Sequence, residues 1–467
     1  MVSKSCYHRN RPTRMSYRVF WKPAIKALPP NHFLSEAVRP VLLKIVRKIK
    51  DLGLKIVCID PVIMDGYPTL LITSRQTKPA NFDYVIAPAI RSMIQTKQYC
   101  YWIEFSTERS DTVPVPLPSF QNYLPGHFPG QSIGVAGVPW SAGTVGGYIR
   151  FDDPELQDYC FGMSCHHVLQ PTRPAGLTEE AQLQKRSRHL NTVGLPHDTV
   201  KWNLKGGDRI VTPALFDHVE QISHLLVKLA ELRRIMAGIR RKYAKQRKRA
   251  PEDFQMRKAE REDREQIRQM QKRDCTLGKV AMTSGYRMDP VTGVSIDWGL
   301  IRLQKDAAAE NIFVFPAEGW SGQLEQYVLD IGDPVSGDEV FKIGRSTKFT
   351  TGVVSSALHA IDLDSNGIFT NEWAVIGDRK HSFSCEGDSG SWVINKRFEL
   401  VGMLVGSNGV VSYMTPIKTV IGDIETATGK KVILQGDIGK SWQRNREGGQ
   451  WGFGGFRKCG RRPFEGN

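Results

Sequence analysis

The feature that most constrains the fold of this chain is a series of short β-type segments, broken by glycines, that begins at Ser132. Apolar and β-branched residues form these segments, and glycines and other turn residues separate them. Examples are GTVGGYIRF, KVAMTSG, DWGLIRL, GDEVFKIGR, TGVVSSAL, EWAVIG, GSWVIN and LVGMLVG. Many short strands with turn signals between them are typical of an all-β barrel or sandwich. The sequence therefore predicts a mainly β domain over residues 132–425.

Residues 213–274 interrupt this series with a helical pattern. Apolar side chains recur every three or four positions at Leu215, Val219, Ile222, Leu226, Leu229 and Leu232, which predicts an amphipathic helix. The part that follows is nearly all polar, and residues 220–274 contain 17 Lys+Arg against 9 Asp+Glu, about half of the net charge of +16. We expect a basic helical insertion that suits an anionic partner, either nucleic acid or an acidic protein. Ordinary solubility charge is the alternative interpretation.

The residues before the β series divide into three parts. We expect residues 1–30 to be disordered and residues 31–107 to form a small α/β module with a structural or partner-binding role. Within this module, SEAVRPVLLKIVRKIKDLG has helical spacing of its apolar residues, and Gly53 is placed to end the helix. Prolines at 114, 116, 118, 125 and 129 predict a stiff Pro-rich linker over residues 108–131. At the other end, residues 426–467 form a basic tail rich in glycine and aromatics, a second candidate site for an anionic partner.

Cysteine usage and hydropathy indicate the compartment. Eight cysteines in 467 residues are ordinary usage rather than a disulfide framework. The basic amino terminus lacks the apolar core, roughly 7–15 residues long, of a signal peptide. No run approaches the roughly 18 apolar residues of a membrane span. The sequence predicts an intracellular protein with reduced thiols and no membrane partner, cytoplasmic or, through RRKYAKQRKR, nuclear.

A candidate nucleophile lies in SFSCEGDSGSWVIN, where Ser389 stands between Asp388 and Gly390 ahead of an apolar run. A serine on such a turn can be presented as a nucleophile, although ordinary tight turns have the same composition. Acyl transfer also needs a base, a group that orients the base, and an oxyanion hole. The backbone N–H groups of Gly387 and Ser389 are candidates for the hole, because a glycine lets its N–H turn inward without a clashing side chain.

The candidate base is His167 in FGMSCHHVL, which immediately precedes an apolar valine, and His166 is then its exposed or structural neighbour. A loop histidine pair without a role is the alternative interpretation. The candidate orienting group is Asp297 in SIDWGLIRL, because an aspartate at the head of an apolar strand can be buried and can accept from an imidazole N–H. An aspartate that only forms a turn is the alternative there.

These segments, in the order His, Asp, Ser, resemble the chymotrypsin-like (trypsin-like) serine peptidases. SCHHV resembles their Thr-Ala-Ala-His-Cys, DWGLIRL their Asp-Ile-Ala-Leu-Leu-Arg-Leu, and CEGDSGSWV their Cys-Gln-Gly-Asp-Ser-Gly-Gly-Pro-Val. VFKIGRSTKFTTGVV resembles the strand-turn-strand that opens the second barrel of that family. The overall arrangement also resembles uncharacterised fungal proteins with a trypsin-like domain.

The resemblance covers residues 132–425 and implies a chymotrypsin-like double β-barrel, with the site in the crevice between the barrels. It implies an intracellular serine endopeptidase that hydrolyses peptide bonds of protein or peptide substrates through an acyl-enzyme. His167, Asp297 and Ser389 would be its catalytic residues, with Gly387 and Ser389 at the oxyanion hole. The residue six positions before the nucleophile, Phe383, would lie at the base of the primary pocket and favours a small or apolar substrate residue. The resemblance implies no cofactor and no metal.

The chain also departs from this family in ways that leave other functions open. His167 and Asp297 are 130 residues apart, and the helical insertion accounts for the excess over one barrel. No Ile-Val-Gly-Gly activation sequence precedes Ser132, so Asp388 must find a partner other than a new amino-terminal amine. A protease-fold binding or scaffold protein with latent or lost activity is one alternative. A nucleic-acid-associated protein that acts through the basic insertion is the other.

Overall fold

The computed structural model describes residues 24–94, 100–107, 127–170, 208–245, 254–304, 309–316, 323–362, 368–378 and 382–436. Residues 1–23, most of the Pro-rich linker and most of the basic tail lie outside these residues. The amino-terminal segment contains β1 (Ile25–Lys26), α1 (Phe33–Val38), α2 (Leu42–Asp51), β2 (Ile56–Met64), β3 (Tyr67–Ser74), α3 (Ala87–Met93) and β4 (Trp102–Thr107). Residues 24–30, which belong to the segment predicted to be disordered, are described: they contain β1, which pairs with β2, and the fully buried Leu28.

Two β units follow the amino-terminal segment. The first contains β5 (Ser132–Val135), β6 (Gly143–Thr144), β7 (Gly147–Phe151), β8 (Phe161–Cys165), α4 (His166–Leu169), β9 (Arg209–Val211), α5 (Leu215–Lys245), α6 (Phe254–Lys272), β10 (Thr276–Thr283), β11 (Arg287–Met288), β12 (Ser295–Ile296), β13 (Trp298–Leu303), β14 (Ile312–Pro316) and β15 (Gln323–Tyr327). The second contains β16 (Asp330–Ile331), β17 (Glu339–Gly344), β18 (Lys348–Ile361), β19 (Thr370–Gly377), β20 (Trp392–Asn395), β21 (Glu399–Ser407), β22 (Val411–Pro416) and α7 (Ile417–Thr428). It is followed by β23 (Val432–Leu434), which joins the sheet of the first unit.

The second β unit is a closed six-stranded barrel. Its strands pair in the order β17-β20-β21-β22-β19-β18, and β18 pairs back with β17, so the sheet closes on itself. Alternating side chains point into the ring because successive residues of a strand face opposite sides. The buried cluster that includes this interior consists of Val340, Val354, Val375, Phe383, Val393, Val401, Leu404 and Met414.

The first β unit is a half-barrel in the described part of the chain. Its strands pair in the order β23-β7-β8-β13-β10-β9-β5-β6. The carboxy-terminal strand β23 thus returns to pair with β7. A closed barrel and a half-barrel, with helices in the minority, confirm the predicted mainly β, chymotrypsin-like fold class.

The helical insertion is a hairpin between β9 and β10. Its helices α5 and α6 run antiparallel, since Lys228 pairs with Asp263 and Arg233 pairs with Glu260. Leu225 and Leu229 of α5 pack with Ile267 and Met270 of α6 in a small core of their own. No helix within the described ranges is long and apolar enough to cross a membrane.

The amino-terminal segment extends the sheet of the closed barrel. Strand β2 pairs antiparallel with β18, with Ile59 opposite Ala360 and Cys58 opposite Ile361. The helix predicted after residue 34 is divided in two, because Pro40 lies in a 3-10 turn between α1 and α2. Proline lacks the N–H that an α-helix interior requires, which explains the break. The predicted domain boundaries stay a prediction.

Candidate active site

Two neighbouring strands of the half-barrel bring His167 and Asp297 together. Strand β8 ends at Cys165, which lies opposite Trp298, the first residue of β13. After β8 the chain enters α4, whose first two residues are His166 and His167, while Asp297 immediately precedes β13. The Nδ1 atom of His167 lies 2.6 Å from Oδ2 of Asp297, and the His167 backbone N–H donates to Oδ1 at 3.1 Å. Asp297 is fully buried, whereas the His167 side chain is 29% exposed.

The neighbouring His166 has a different environment. Its side chain is buried, and its ring meets Tyr286 edge to face at a centroid distance of 5.1 Å. Tyr286 lies nearly parallel to the His167 ring at 6.3 Å. The structure therefore places the imidazole of His167 against the Asp297 carboxylate and the imidazole of His166 against an aromatic ring.

The turn that carries Ser389 packs against β8, the strand that precedes His166 and His167. Ser389 is half-buried in a turn before β20, and its carbonyl accepts from the Thr144 backbone N–H at 2.9 Å. A Cβ at Gly390 would lie 2.4 Å from Oγ of Ser164, which is two residues before His166. Glycine is required here by this close approach and by a φ of +91°. The turn of Ser389 and strand β8, which leads into His167, are thus in direct contact.

Acyl transfer needs a contact between the serine hydroxyl and the histidine, and N–H groups that can bind an oxyanion. Among the described residues, no hydrogen bond links the Ser389 hydroxyl to the His167 imidazole. Such bonds are often long in enzymes without substrate and tighten when substrate binds. Within the same residues, the N–H groups of Gly387 and Ser389 donate to no protein acceptor, which leaves both available to a ligand oxygen. Gly387 adopts a φ of +92°, as a glycine readily can.

Asp388 is buried and has several donors within the second barrel. The carboxylate accepts from the Ser346 N–H at 2.7 Å, from the Thr347 hydroxyl at 2.7 Å and from the Cys385 N–H at 3.1 Å. Its charge partner is Lys342, whose Nζ lies 3.2 Å from Oδ2, with both side chains fully buried. Burial lowers the pKa of Lys342, and the adjacent Asp388 carboxylate opposes that shift.

The sequence did not reveal Lys342 as this partner, although a signal was present. In EVFKIG of β17, Lys342 shares its strand face with Val340 and Gly344, and all three are buried. A lysine at an inward position of an apolar strand needs a buried counter-charge. The sequence does not tell which carboxylate supplies this counter-charge, because Asp388 lies 46 residues further along the chain.

Cys165 lies beside the histidine–aspartate pair. Its thiol donates to the Leu404 carbonyl at 3.3 Å, and its Sγ, together with ligand atoms of His167 and Asp297, forms a group within 4.8 Å. Burial, followed by the nearby Asp297 charge, raises the pKa of the Cys165 thiol well above its ordinary value. Zinc requires the thiolate, so this environment disfavours a metal. The imidazole–carboxylate hydrogen bond at 2.6 Å accounts for the other two residues without one.

Phe383, the predicted base of the primary pocket, lies in the interior of the second barrel. Its side chain is fully buried in the cluster with Val340, Val375 and Leu404. Its carbonyl accepts from the Thr350 hydroxyl at 2.6 Å. A ring with no exposed surface does not line a pocket in this structure, and the role of Phe383 stays a prediction.

Residues 239–432, less than half of the chain, match the model of peptidase family S64. No curated protein matches the chain. Among solved structures, the chain is similar to Thermobifida fusca Protease A, with a TM-score of 0.33 and 9% identity over 66% of this chain and 100% of that one. It is similar to a glutamic-acid-specific serine protease, with a TM-score of 0.32 and 10% identity over 66% of this chain and 100% of that one.

A Nocardiopsis protease gives a TM-score of 0.32 and 9% identity over 66% of this chain and 98% of the other. The predicted likeness to fungal intracellular proteins stays a prediction. The match to family S64 spans three of the four sequence motifs, namely DWGLIRL, VFKIGRSTKFTTGVV and CEGDSGSWV, and begins after SCHHV. The resemblance of this chain to the chymotrypsin-like serine peptidases is thereby confirmed, and the class of activity that goes with it is that of a peptidase, a hydrolase.

Proposed function

We propose that this chain is an intracellular serine endopeptidase that acts through an acyl-enzyme. The observation that carries the proposal is the 2.6 Å contact between His167 Nδ1 and the buried Asp297 carboxylate, next to the turn of Ser389. A carboxylate at that distance accepts from Nδ1–H, which fixes the tautomer in which Nε2 is the basic nitrogen that takes a proton. The partial exposure of His167 leaves its ring accessible to a substrate.

In the proposed reaction, Ser389 Oγ attacks the scissile carbonyl while His167 Nε2 takes the hydroxyl proton. The oxygen of the tetrahedral intermediate accepts from the N–H groups of Gly387 and Ser389, which donate to no other group among the described residues. His167 then donates its proton to the leaving amine, and the acyl group stays on Ser389. Water, activated by the same histidine, hydrolyses the ester and restores the free serine. Asp297 orients the imidazole throughout.

The partner of Asp388 favours activity over latency. A buried carboxylate without a cation would leave the 387–389 turn with an uncompensated charge. Lys342 supplies that cation from within the same barrel, so the turn needs no new amino terminus to hold Asp388 in place. The free thiols of Cys58, Cys100, Cys160, Cys165 and Cys275 fit a reducing compartment, as expected of an intracellular enzyme.

Protein or peptide substrates follow from the peptidase class. The preference for small or apolar residues that Phe383 predicts stays a prediction, because this side chain is fully buried in the interior of the second barrel. An anionic partner at the insertion rests on charge alone. Several of its arginines and lysines already pair within the hairpin, at Arg233–Glu260, Arg264–Glu260 and Lys228–Asp263. The comparisons give no support for nucleic acid.

Covalent labelling with a fluorophosphonate tests the proposal. This reagent reacts with a serine that is activated by a base and faces a formed oxyanion hole. We expect labelling of the wild type, and none of Ser389→Ala. The adjacent histidines provide a matched pair: His167→Ala should abolish labelling, and folded His166→Ala should retain it. A folded wild type that does not label would contradict the proposal, as would labelling that survives in Ser389→Ala.

A further inference from the structure

A buried ion pair connects the first turn of the helical hairpin to the second barrel. Arg345 donates from Nε to Oδ2 of Asp217 at 2.8 Å and from Nη2 to Oδ1 at 2.5 Å. Arg345 is only 6% exposed and Asp217 only 2%. Ser132 adds a hydroxyl hydrogen bond to Oδ2 at 2.5 Å, and its Oγ accepts from the Ala214 N–H at 3.0 Å. The base of the hairpin is therefore fixed to β5 and to Arg345.

The other side of the Arg345 guanidinium lies against the serine turn. A Cβ at Gly387 would lie 2.2 Å from Nη1 of Arg345, so the guanidinium packs directly on the backbone of this glycine. The Arg345 backbone N–H donates to Thr144 Oγ1 at 2.9 Å, and that hydroxyl donates to the Gly387 carbonyl at 2.9 Å. Arg345 thus contacts Gly387 through its side chain and, by way of Thr144, through its backbone.

Ser346, the next residue, holds the rest of the turn. Its hydroxyl donates to the Glu386 carbonyl at 2.5 Å, and its N–H donates to Oδ1 of Asp388 at 2.7 Å. The peptide group that presents the Gly387 N–H is thus held by Ser346 at the Glu386 carbonyl and packed against Arg345 at Gly387. A small shift of Arg345 would change the direction of that N–H.

The chemistry of the pair explains why its two members depend on one another. A buried guanidinium is stable only with a counter-charge, and removing one partner leaves the other uncompensated. The planar fork of arginine fits a carboxylate through two parallel hydrogen bonds, which fixes the orientation of the guanidinium. A lysine keeps the charge but loses that orientation.

We propose that Arg345 is a positioning residue for the Gly387 N–H of the oxyanion hole, and that Asp217 couples this N–H to the helical hairpin. The proposal rests on the proposed serine peptidase function. It goes beyond that function by giving the insertion a role in catalysis: the hairpin fixes Asp217, Asp217 orients Arg345, and Arg345 sets the oxyanion hole.

Kinetics of Arg345→Lys and Asp217→Asn test the proposal in the full chain. A small misplacement of a catalytic group can reduce a rate by about 100-fold. We expect each variant to lower kcat and the fluorophosphonate labelling rate by about 10- to 100-fold, with KM changed by less than about threefold, because the hole acts on the transition state. Because both changes act through one pair, the double variant should lose about as much as one single variant.

The matched control is Lys228→Ala, which removes an ion pair of the same hairpin, to Asp263 at 2.9 Å, that does not contact the serine turn. It should leave kcat unchanged. Circular dichroism and thermal unfolding give the folded fraction to which each rate is normalised. If Asp217→Asn does not fold, Asp217→Glu provides the same test, because it retains the charge but shifts the position of the Arg345 guanidinium.

The outcomes separate the two proposals. Wild-type rates in folded Arg345→Lys and in the folded Asp217 variant, with an active wild type, would overturn the positioning role and leave the peptidase function intact. A rise in KM at unchanged kcat would overturn it as well, because ground-state binding rather than the oxyanion hole would then be affected. A folded wild type that neither labels nor turns over would contradict the serine peptidase function, and the positioning role would fall with it.

Discussion

The described residues contain two histidine–aspartate pairs with nearly the same local geometry and very different surroundings. His167 Nδ1 lies 2.6 Å from Asp297, and His359 Nδ1 lies 2.8 Å from Asp60. The first pair lies at the end of the β8–β13 ladder beside the serine turn. The second lies where β2 of the amino-terminal segment meets β18 of the closed barrel. Both aspartates are buried, but His167 is 29% exposed while His359 is fully buried.

The carboxylates also differ in their other partners. Asp60 accepts from the Tyr413 hydroxyl at 3.0 Å, from the Asn408 amide at 2.9 Å and from the Cys58 thiol at 3.1 Å. The outer nitrogen of His359, Nε2, is buried and has no hydrogen-bond partner among the described residues. An imidazole enclosed in this way has no access to substrate. A histidine–aspartate pair therefore indicates catalysis only where the far ring nitrogen faces solvent and a nucleophile.

The largest expected difference between the pairs is in turnover. Asp297→Asn should lower kcat by about 10⁴-fold, because an amide no longer holds the tautomer with its proton on Nδ1. The measurement is steady-state hydrolysis of a peptide substrate, with folding checked by circular dichroism. Asp60→Asn is the matched control and should keep kcat per folded molecule within about twofold. A loss below about tenfold in Asp297→Asn would remove Asp297 from the mechanism.

In stability the order is reversed: Asp60→Asn should lower the free energy of unfolding more than Asp297→Asn does. Removing one member of a buried charged network costs about 3–5 kcal/mol, and Asp60 has four side-chain donors that an asparagine cannot all satisfy. We expect urea unfolding of Asp60→Asn to show that loss, and a smaller one for Asp297→Asn. Equal losses of unfolding free energy would contradict the proposal that the His167 pair acts in catalysis and the His359 pair stabilises the packing of β2 on the barrel.

The two pairs also show how far sequence alone can lead. The sequence predicts the His167 pair because each residue lies in a short local motif, and the order of the motifs is informative. It does not predict the His359 pair, whose members are 299 residues apart and lie in ordinary strand segments. Nor does it predict the pairing of Arg345 with Asp217, because these two residues are 128 positions apart in the chain. Only the tertiary fold shows which buried charges meet, because neither sequence segment specifies its partner.

Glu372 lies between the two pairs, and its titration gives the smallest of the expected effects. Strand β19 places it directly opposite His359 of β18, and its Oε1 accepts at 2.6 Å from the N–H of Ser295, two residues before Asp297. Burial raises the pKa of Glu372 to about 7, from an ordinary value of 4.5. The folded state therefore binds a proton that the unfolded chain releases, and the wild type loses stability as the pH rises from about 4.5 to 7.

Glu372→Gln removes this titration while keeping an oxygen that can accept from Ser295. One pKa unit corresponds to about 1.4 kcal/mol, so the unfolding free energy of the wild type, relative to the variant, should fall by about 2–3 kcal/mol between pH 5 and pH 8. Urea unfolding of both proteins at the two pH values measures that difference directly, and other titrating groups cancel in the subtraction. A difference that does not depend on pH would show that Glu372 is ionised in the folded protein. His359, the titratable group opposite it, would then be the first residue to examine as its charge partner.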